Sequence, residues 1–223
     1  METIPVVSVC MITYGHEKFI KEAIEGVLIQ ECDFEVELIV ANDCSPDNTN
    51  EVVQNILKTH SKASWIKYIN HKQNLGMMAN FIFALNQCKG NYIAICDGDD
   101  YWIDPFKLQK QVNFLENNNQ YVICFTKANR LFPNGEIKTG STLNKPFKTG
   151  FDDIVFGNYI PALTVVFKNS LREFNFSGWY NNSLIGDWPL YLWLTKDGGN
   201  ICHLQDITST YRFGIGISNE LRK

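Results

Sequence analysis

Tyr92-Ile93-Ala94-Ile95-Cys96-Asp97-Gly98-Asp99-Asp100-Tyr101-Trp102 carries an apolar run straight into a turn crowded with carboxylates. A short apolar run bounded by polar punctuation reads as a strand covered on both faces, and the turn lies at its carboxyl end, where ligands gather in open α/β sheets. Carboxylates this close repel one another, and a fold tolerates them where a cation or hydrogen-bond donors compensate. A hard divalent ion, Mg²⁺ or Mn²⁺, takes oxygen ligands and binds through one or two carboxylates together with substrate phosphates, which suits such a turn. The alternative is a solvated turn. Asp104 is read in that way, as a helix cap, whereas Asp97 and Asp99, next to a buried strand, are read as a site.

Upstream of this stretch, strand and helix signals alternate, which is the βαβ pattern of a mostly parallel, Rossmann-like sheet flanked by helices. Residues 6–13 form an apolar run broken by Ser8, and Phe19, Ile20, Ala23, Ile24, Val27 and Leu28 then form a helical stripe. A strand over 36–41 leads into the turn cluster 42–48, followed by a helix marked by Val52, Val53, Ile56 and Leu57, a strand over 65–69 and a helix through 81–85. Downstream, Asp104-Pro105 reads as an N-cap with Pro at the first helical position, ahead of Leu108, Val112 and Leu115 on one face. A strand over 121–126, a hairpin turn at Pro133-Asn134-Gly135, a loop over 139–149 and a short strand over 162–167 complete the pattern. The whole chain, 1–223, is expected to form one domain, with a smaller second half from about 127 onward.

A net charge of −4, with Lys and Arg scattered rather than clustered, argues against nucleic acid as a partner. The start, Met1-Glu2-Thr3-Ile4-Pro5, has no basic leader, and no apolar run approaches the roughly 20 residues of a membrane span, so the cytosol is the expected setting. The seven cysteines form no Cys-x-x-Cys pair and are read as inert thiols. His16, His60, His71 and His203 show no metal-ligand spacing and are read as surface or structural residues.

A first strand ending in Thr13-Tyr14-Gly15, then Glu37-Leu38-Ile39-Val40-Ala41-Asn42-Asp43-Cys44-Ser45-Pro46-Asp47-Asn48-Thr49, then Asn74-Leu75-Gly76 and the acidic turn, closely resembles family 2 glycosyltransferases of the GT-A fold. The resemblance implies that Thr13, Tyr14 and Asp43 surround the nucleotide base and that Gly76 and Asn80 line the donor pocket. It implies a nucleotide contact for Asp97 and the leading metal ligand in Asp99, with Asp100 as its competitor. It further implies a single in-line displacement with inversion, moving sugar from a nucleoside-diphosphate sugar, a UDP-sugar being favoured, to a glycan or lipid-linked acceptor in bacterial surface-polysaccharide assembly. Residues 1–126 would then hold the donor and residues 127–223 the acceptor. A C-terminal extension beyond Lys223 would be the route to peripheral association with the inner face of a membrane.

Asp187, in Ile185-Gly186-Asp187-Trp188-Pro189-Leu190, resembles the family's catalytic carboxylate, while its position before Pro and an apolar stripe is also that of a helix N-cap, which would lower its basicity. Three departures stand out: Gly15 where relatives carry Asn, Asn42 where they carry Asp, and Gly214 where Tyr-Arg-x-His would put His. Arg212 is the candidate to supply the missing positive charge at the diphosphate. Trp193 is read as core, while Trp179 and Tyr180 are left between core and acceptor site. Two other readings stay open: a catalytically silent sugar-nucleotide or glycan-binding module, which Gly214 permits, and a nucleotidyltransferase. The latter would need a Gly-rich, basic phosphate loop that Thr13-Tyr14-Gly15-His16-Glu17 does not supply.

Overall fold

Alternate residues of the first strand, β1 (Val7–Thr13), enter two different cores: Val7, Val9 and Met11 one, Cys10 the other. This period of two explains why the strand is apolar almost throughout, since both its faces are covered. The computed structural model describes residues 7–140, 145–174, 176, 178 and 180–214. Trp179, parts of the expected loop over 139–149 and the last nine positions lie outside them.

The helix α1 (Ile20–Leu28) buries Ile20, Ala23, Ile24, Val27 and Leu28, the stripe expected from its spacing. The strands β2 (Val36–Asn42) and β3 (Ile66–Asn70) follow, with α2 (Thr49–Thr59) between them, and then come α3 (Met77–Gln87) and β4 (Tyr92–Ile95). The pieces β5 (Tyr101–Trp102), α4 (Lys107–Asn117) and β6 (Tyr121–Leu131) lead to the hairpin partner β7 (Ile137–Lys138). The remainder is β8 (Lys148–Thr149), α5 (Phe151–Ile154), β9 (Val166–Lys168), α6 (Asp187–Thr195) and β10 (Asn200–Arg212). The sheet runs in the order β3-β2-β1-β4-β9-β6-β10-β5. β9 is antiparallel to both β4 and β6, while β6 and β10 are parallel, so β3, β2, β1, β4, β6 and β10 all point the same way. Their carboxyl ends therefore share one edge. Helices α1, α2 and α4 cover one face; α3 and α6 cover the other.

Besides β6, which continues past the expected 126 to Leu131, two boundaries differ from expectation, each because a side chain captures backbone groups. α4 begins at Lys107, not at Pro105. Asp104 Oδ1 accepts the Phe106 N–H at 2.9 Å in a turn of its own, while Gln30 donates to the Asp104 carbonyl (2.8 Å) and accepts the Leu108 N–H (3.1 Å). The expected strand over 162–167 is instead a 3₁₀ turn, Ala162–Thr164, followed by β9. There the Leu163 carbonyl accepts the Trp102 indole N–H (2.8 Å) and the Thr164 carbonyl accepts the Gln111 amide (3.0 Å), so ladder pairing starts only afterwards.

Gly26 sits in the middle of α1, where Ala would be the better helix former by about 1 kcal/mol. A β-carbon there would nevertheless lie 2.8 Å from the backbone N and O of Trp102. Gly26→Ala is therefore expected to destabilise the protein by about 1–3 kcal/mol, read as a lowered urea midpoint with unchanged slope.

Candidate active site

The acidic turn is an extension of β4 pinned to β1. The Cys96 N–H reaches the Cys10 carbonyl at 3.1 Å and the Gly98 N–H the Ile12 carbonyl at 2.9 Å, and Asp100 N–H closes the turn on the Asp97 carbonyl at 3.1 Å. Gly98 is required by this closeness, because a β-carbon would lie 2.7 Å from Thr13 Oγ1 and 3.0 Å from His16 Nδ1. The turn opens on a cleft of about 1150 Å³ at the carboxyl edge of the sheet. Of the residues expected to bind donor or metal or to act as base, all but Arg212 line this cleft: Thr13, Tyr14, Asp43, Gly76, Asn80, Asp97, Asp99, Asp100 and Asp187.

On the β2 side, Asp43 is 3% exposed. Its two carboxylate oxygens accept the N–H groups of Leu75 (2.7 Å) and Gly76 (3.0 Å), so it shapes the loop before α3 as well as bordering the cleft. Gly76 has φ +85°, a left-handed backbone that suits glycine. Asn80 is buried, donating to the Ala41 carbonyl (2.9 Å) and meeting His71 Nε2 (3.0 Å), which commits both ends of its amide to holding β2 against α3. Tyr14, at 48% exposed, is the free aromatic face at this end.

The two departures at the strand tips have local causes. Gly15 has φ +72°, a conformation that Asn and Gly both adopt, and its N–H donates to Ser45 Oγ at 3.0 Å. Asn42 is fully buried and needs a donor as well as an acceptor. Its Nδ2 donates to the Tyr68 hydroxyl (2.9 Å) while its Oδ1 accepts from the Ser45 N–H (3.1 Å) and hydroxyl (2.5 Å), a set that an ionised Asp could not complete.

Electrostatically the cleft is acidic. Burial first, then the charges of Asp99 and Asp187, push the Asp97 carboxyl up to about 8. Asp100 is 4% exposed and raised well above the usual range by burial and by Asp99, while its Oδ1 accepts the Arg212 N–H at 2.8 Å. Among the described residues lining the cleft, only the His16 and Arg130 side chains can carry positive charge.

Arg212 stands behind the acidic turn, outside the lining of the cleft. Its guanidinium lies over the rings of Phe19 and Tyr101, 4.9 and 4.6 Å from their centroids, pairs with Glu22, and donates to the Asp99 carbonyl. At 6% exposed it borders a smaller neighbouring cavity, and its contacts with Glu22 and the Asp99 carbonyl brace the acidic turn.

Asp187 is the first residue of α6, one position inside the N-cap that its sequence suggested. Gly186 lets the helix start hard against α3, where a β-carbon would lie 2.5 Å from the Phe81 ring. Asp187 accepts the Trp188 N–H at 2.7 Å and the Asn158 amide at 2.9 Å. Those bonds favour the ionised form, yet burial outweighs them and raises the carboxyl above its ordinary value. The lowering of basicity expected at a helix N-terminus is thus overcome. Asn158 was not legible, because it comes from an irregular segment 29 residues away from the carboxylate that it holds. His16, read as structural, also lines the cleft. Tyr180 is fully buried, with its hydroxyl on the Gly186 carbonyl (2.8 Å), and Trp193 packs edge-on against Phe174 (4.9 Å), so both belong to the core.

Among the described residues no three His, Cys, Asp or Glu side chains converge on one point. An ion here would therefore take one or two carboxylate oxygens from Asp99 and Asp97, and the remainder from a ligand's phosphates. The donor set fits that division, since the Asp99 charge adds to burial in raising Asp97 and, among the described residues, no lysine or arginine is paired with either carboxylate. Among the described residues, no helix is long and apolar enough to cross a membrane.

Comparisons with known proteins agree with this geometry. An uncharacterized protein of Mycobacterium tuberculosis, Rv1520, is 30% identical over 206 residues, 92% of this chain and 58% of the relative. The putative teichuronic acid biosynthesis glycosyltransferase TuaG of Bacillus subtilis is 28% identical over 162 residues, 73% of this chain and 62% of the relative. The crystal structure of S. aureus TarS in complex with UDP superposes with a TM-score of 0.71 at 20% identity, covering 92% of this chain and 60% of that one, which establishes the GT-A fold. The chain thus spans about three-fifths of the length of these relatives. The model of the family described as Glycosyl transferase family 2 matches residues 8–174, three quarters of the chain, and the chain belongs to that family.

Proposed function

We propose that this chain is an inverting, metal-dependent sugar transferase acting on a nucleoside-diphosphate sugar, with UDP-sugars favoured, and on a glycan or lipid-linked acceptor of surface-polysaccharide assembly in the cytosol. The observation that carries the reading is Asp187, a carboxylate of raised basicity that opens on the same cleft as Asp97 and Asp99. Of the carboxylates lining the cleft it alone comes from the second half of the chain, which supports one base on the acceptor side and a direct displacement. The residues 1–126 would hold the donor and 127–223 the acceptor.

In this reading Thr13, Tyr14 and Asp43 border the base and Gly76 keeps the loop before α3 open beside it. Asp97 faces the ribose, and Asp99 is the metal ligand. Asp100 is set aside for that role, because its carboxyl is buried and tied to the Arg212 backbone. A Mg²⁺ or Mn²⁺ ion supplies positive charge to the leaving diphosphate. Asp187 takes the acceptor hydroxyl's proton as the new glycosidic bond forms on the face opposite the breaking bond, and Asn158 and the Trp188 N–H hold its oxygens in place. The closeness of Gly186 to Phe81 keeps this base at a fixed separation from the donor half.

A screen of UDP- and GDP-sugars for Mn²⁺-dependent binding and slow hydrolysis tests the reading. Metal-dependent binding with sugar release supports it; binding without release favours the silent module, and no binding of either nucleotide overturns both. Asn158→Ala provides a finer check. Removing a donor that favours the carboxylate raises the Asp187 pKa further, so the acid limb of the kcat/KM profile is expected to move to higher pH.

A further inference from the structure

The backbone of the segment after β1 is fastened to the loop after β2 by more bonds than starting α1 requires. The Gly15 N–H meets Ser45 Oγ (3.0 Å), the His16 N–H meets Thr49 Oγ1 (3.0 Å), the Glu17 N–H meets Asp47 Oδ2 (3.0 Å), and Glu17 Oε2 accepts back from the Asn48 N–H (3.0 Å). The His16 carbonyl also accepts the N–H groups of Phe19 and Ile20, both at 2.9 Å. With its backbone held from both sides, the His16 side chain has little freedom beyond its own rotamers. Its Nδ1 meets Thr13 Oγ1 at 3.1 Å, and its Nε2 has no hydrogen bond to any described residue.

The ring stands beside the acidic turn. The space above Gly98 is filled by Thr13 Oγ1 and His16 Nδ1, and burial lowers the imidazole pKa by more than the neighbouring charge of Asp99 raises it, so the ring meets a ligand as a neutral N–H donor. Among the described residues the cleft has only two lining side chains able to carry positive charge, and the other, Arg130, is exposed near the end of β6 in the second half. Arg212, the remaining cation at the turn, is committed to Glu22 and the Asp99 carbonyl. A diphosphate lying against Asp99 thus meets one ring nitrogen supplied by the donor half, and in the tautomer whose Nδ1 accepts from the Thr13 hydroxyl, Nε2 carries the N–H.

Resting on the donor reading above, we propose that the His16 imidazole donates to the outer phosphoryl group of the nucleoside diphosphate, so that it selects diphosphates over monophosphates. A charge-assisted bond of this kind is worth about tenfold or more in affinity.

The test is calorimetric titration of UDP and of UMP, at saturating Mn²⁺, into the wild type, His16→Ala and His16→Gln, with thermal melts confirming that both variants fold. The expected result is that UDP affinity falls about tenfold in His16→Ala, UMP affinity stays within about twofold, and His16→Gln, which keeps an N–H donor, recovers part of the loss. Equal weakening of UDP and UMP, or no change in either, would overturn the assignment and leave the ring as packing for the acidic turn. If the wild type itself binds neither UDP nor GDP, the donor reading falls, and that failure shows before any variant is made.

Discussion

Asp187→Asn is expected to cut turnover by about 10² to 10⁴ while nucleoside-diphosphate affinity stays within about twofold of wild type. The substitution keeps the shape and the acceptor for the Trp188 N–H, while it removes the capacity to take a proton and the acceptor for the Asn158 amide. Burial raises the native carboxyl against the pull of its two hydrogen bonds, and this makes it a stronger base than an exposed Asp. Single-turnover rates measured beside calorimetric affinity check the prediction. Were turnover to survive while the melting temperature fell, Asp187 would be only the first residue of α6.

Asp99→Asn is expected to abolish the metal-dependent share of nucleotide affinity, a loss of about a hundredfold or more when UDP is titrated with and without Mn²⁺. Its neighbours cannot take over. Asp100 is buried and accepts the Arg212 N–H, and Asp97 is pushed up to about 8, so near neutral pH it is largely protonated until a cation arrives. Removing the Asp99 charge also relieves Asp97, whose carboxyl is expected to fall toward the ordinary range. Equal UDP affinity in the variant and the wild type, in the presence of Mn²⁺, would rule out Asp99 as the ligand.

The first half of the fold was legible because each of its signals is local. Strands covered on both faces are apolar throughout, amphipathic helices repeat at a fixed period, and polar residues at strand ends mark one edge of the sheet. What was missed depends on partners distant in sequence. Gln30 sets the start of α4 from 74 residues away, through the Asp104 carbonyl. The pairing of Arg212 with Glu22, 190 residues upstream, left no local signal either. His16 looked structural because a lone histidine has no spacing to interpret; its place beside Asp99 comes from a loop-to-loop lattice of bonds that no periodicity encodes. The basicity of Asp187 was misjudged for the opposite reason. The helix terminus is visible in the sequence, whereas the burial that outweighs it is produced by α3 and by the segment holding Asn158.

The clasp made by Arg212 has a consequence for biosynthesis. Strands β1 through β4 can assemble on the ribosome as soon as they emerge, but the acidic turn is braced only when a residue 112 positions beyond Asp100 arrives with the last strand. A nascent chain would therefore carry an unbraced acidic turn until β10 has left the exit tunnel and paired with β6.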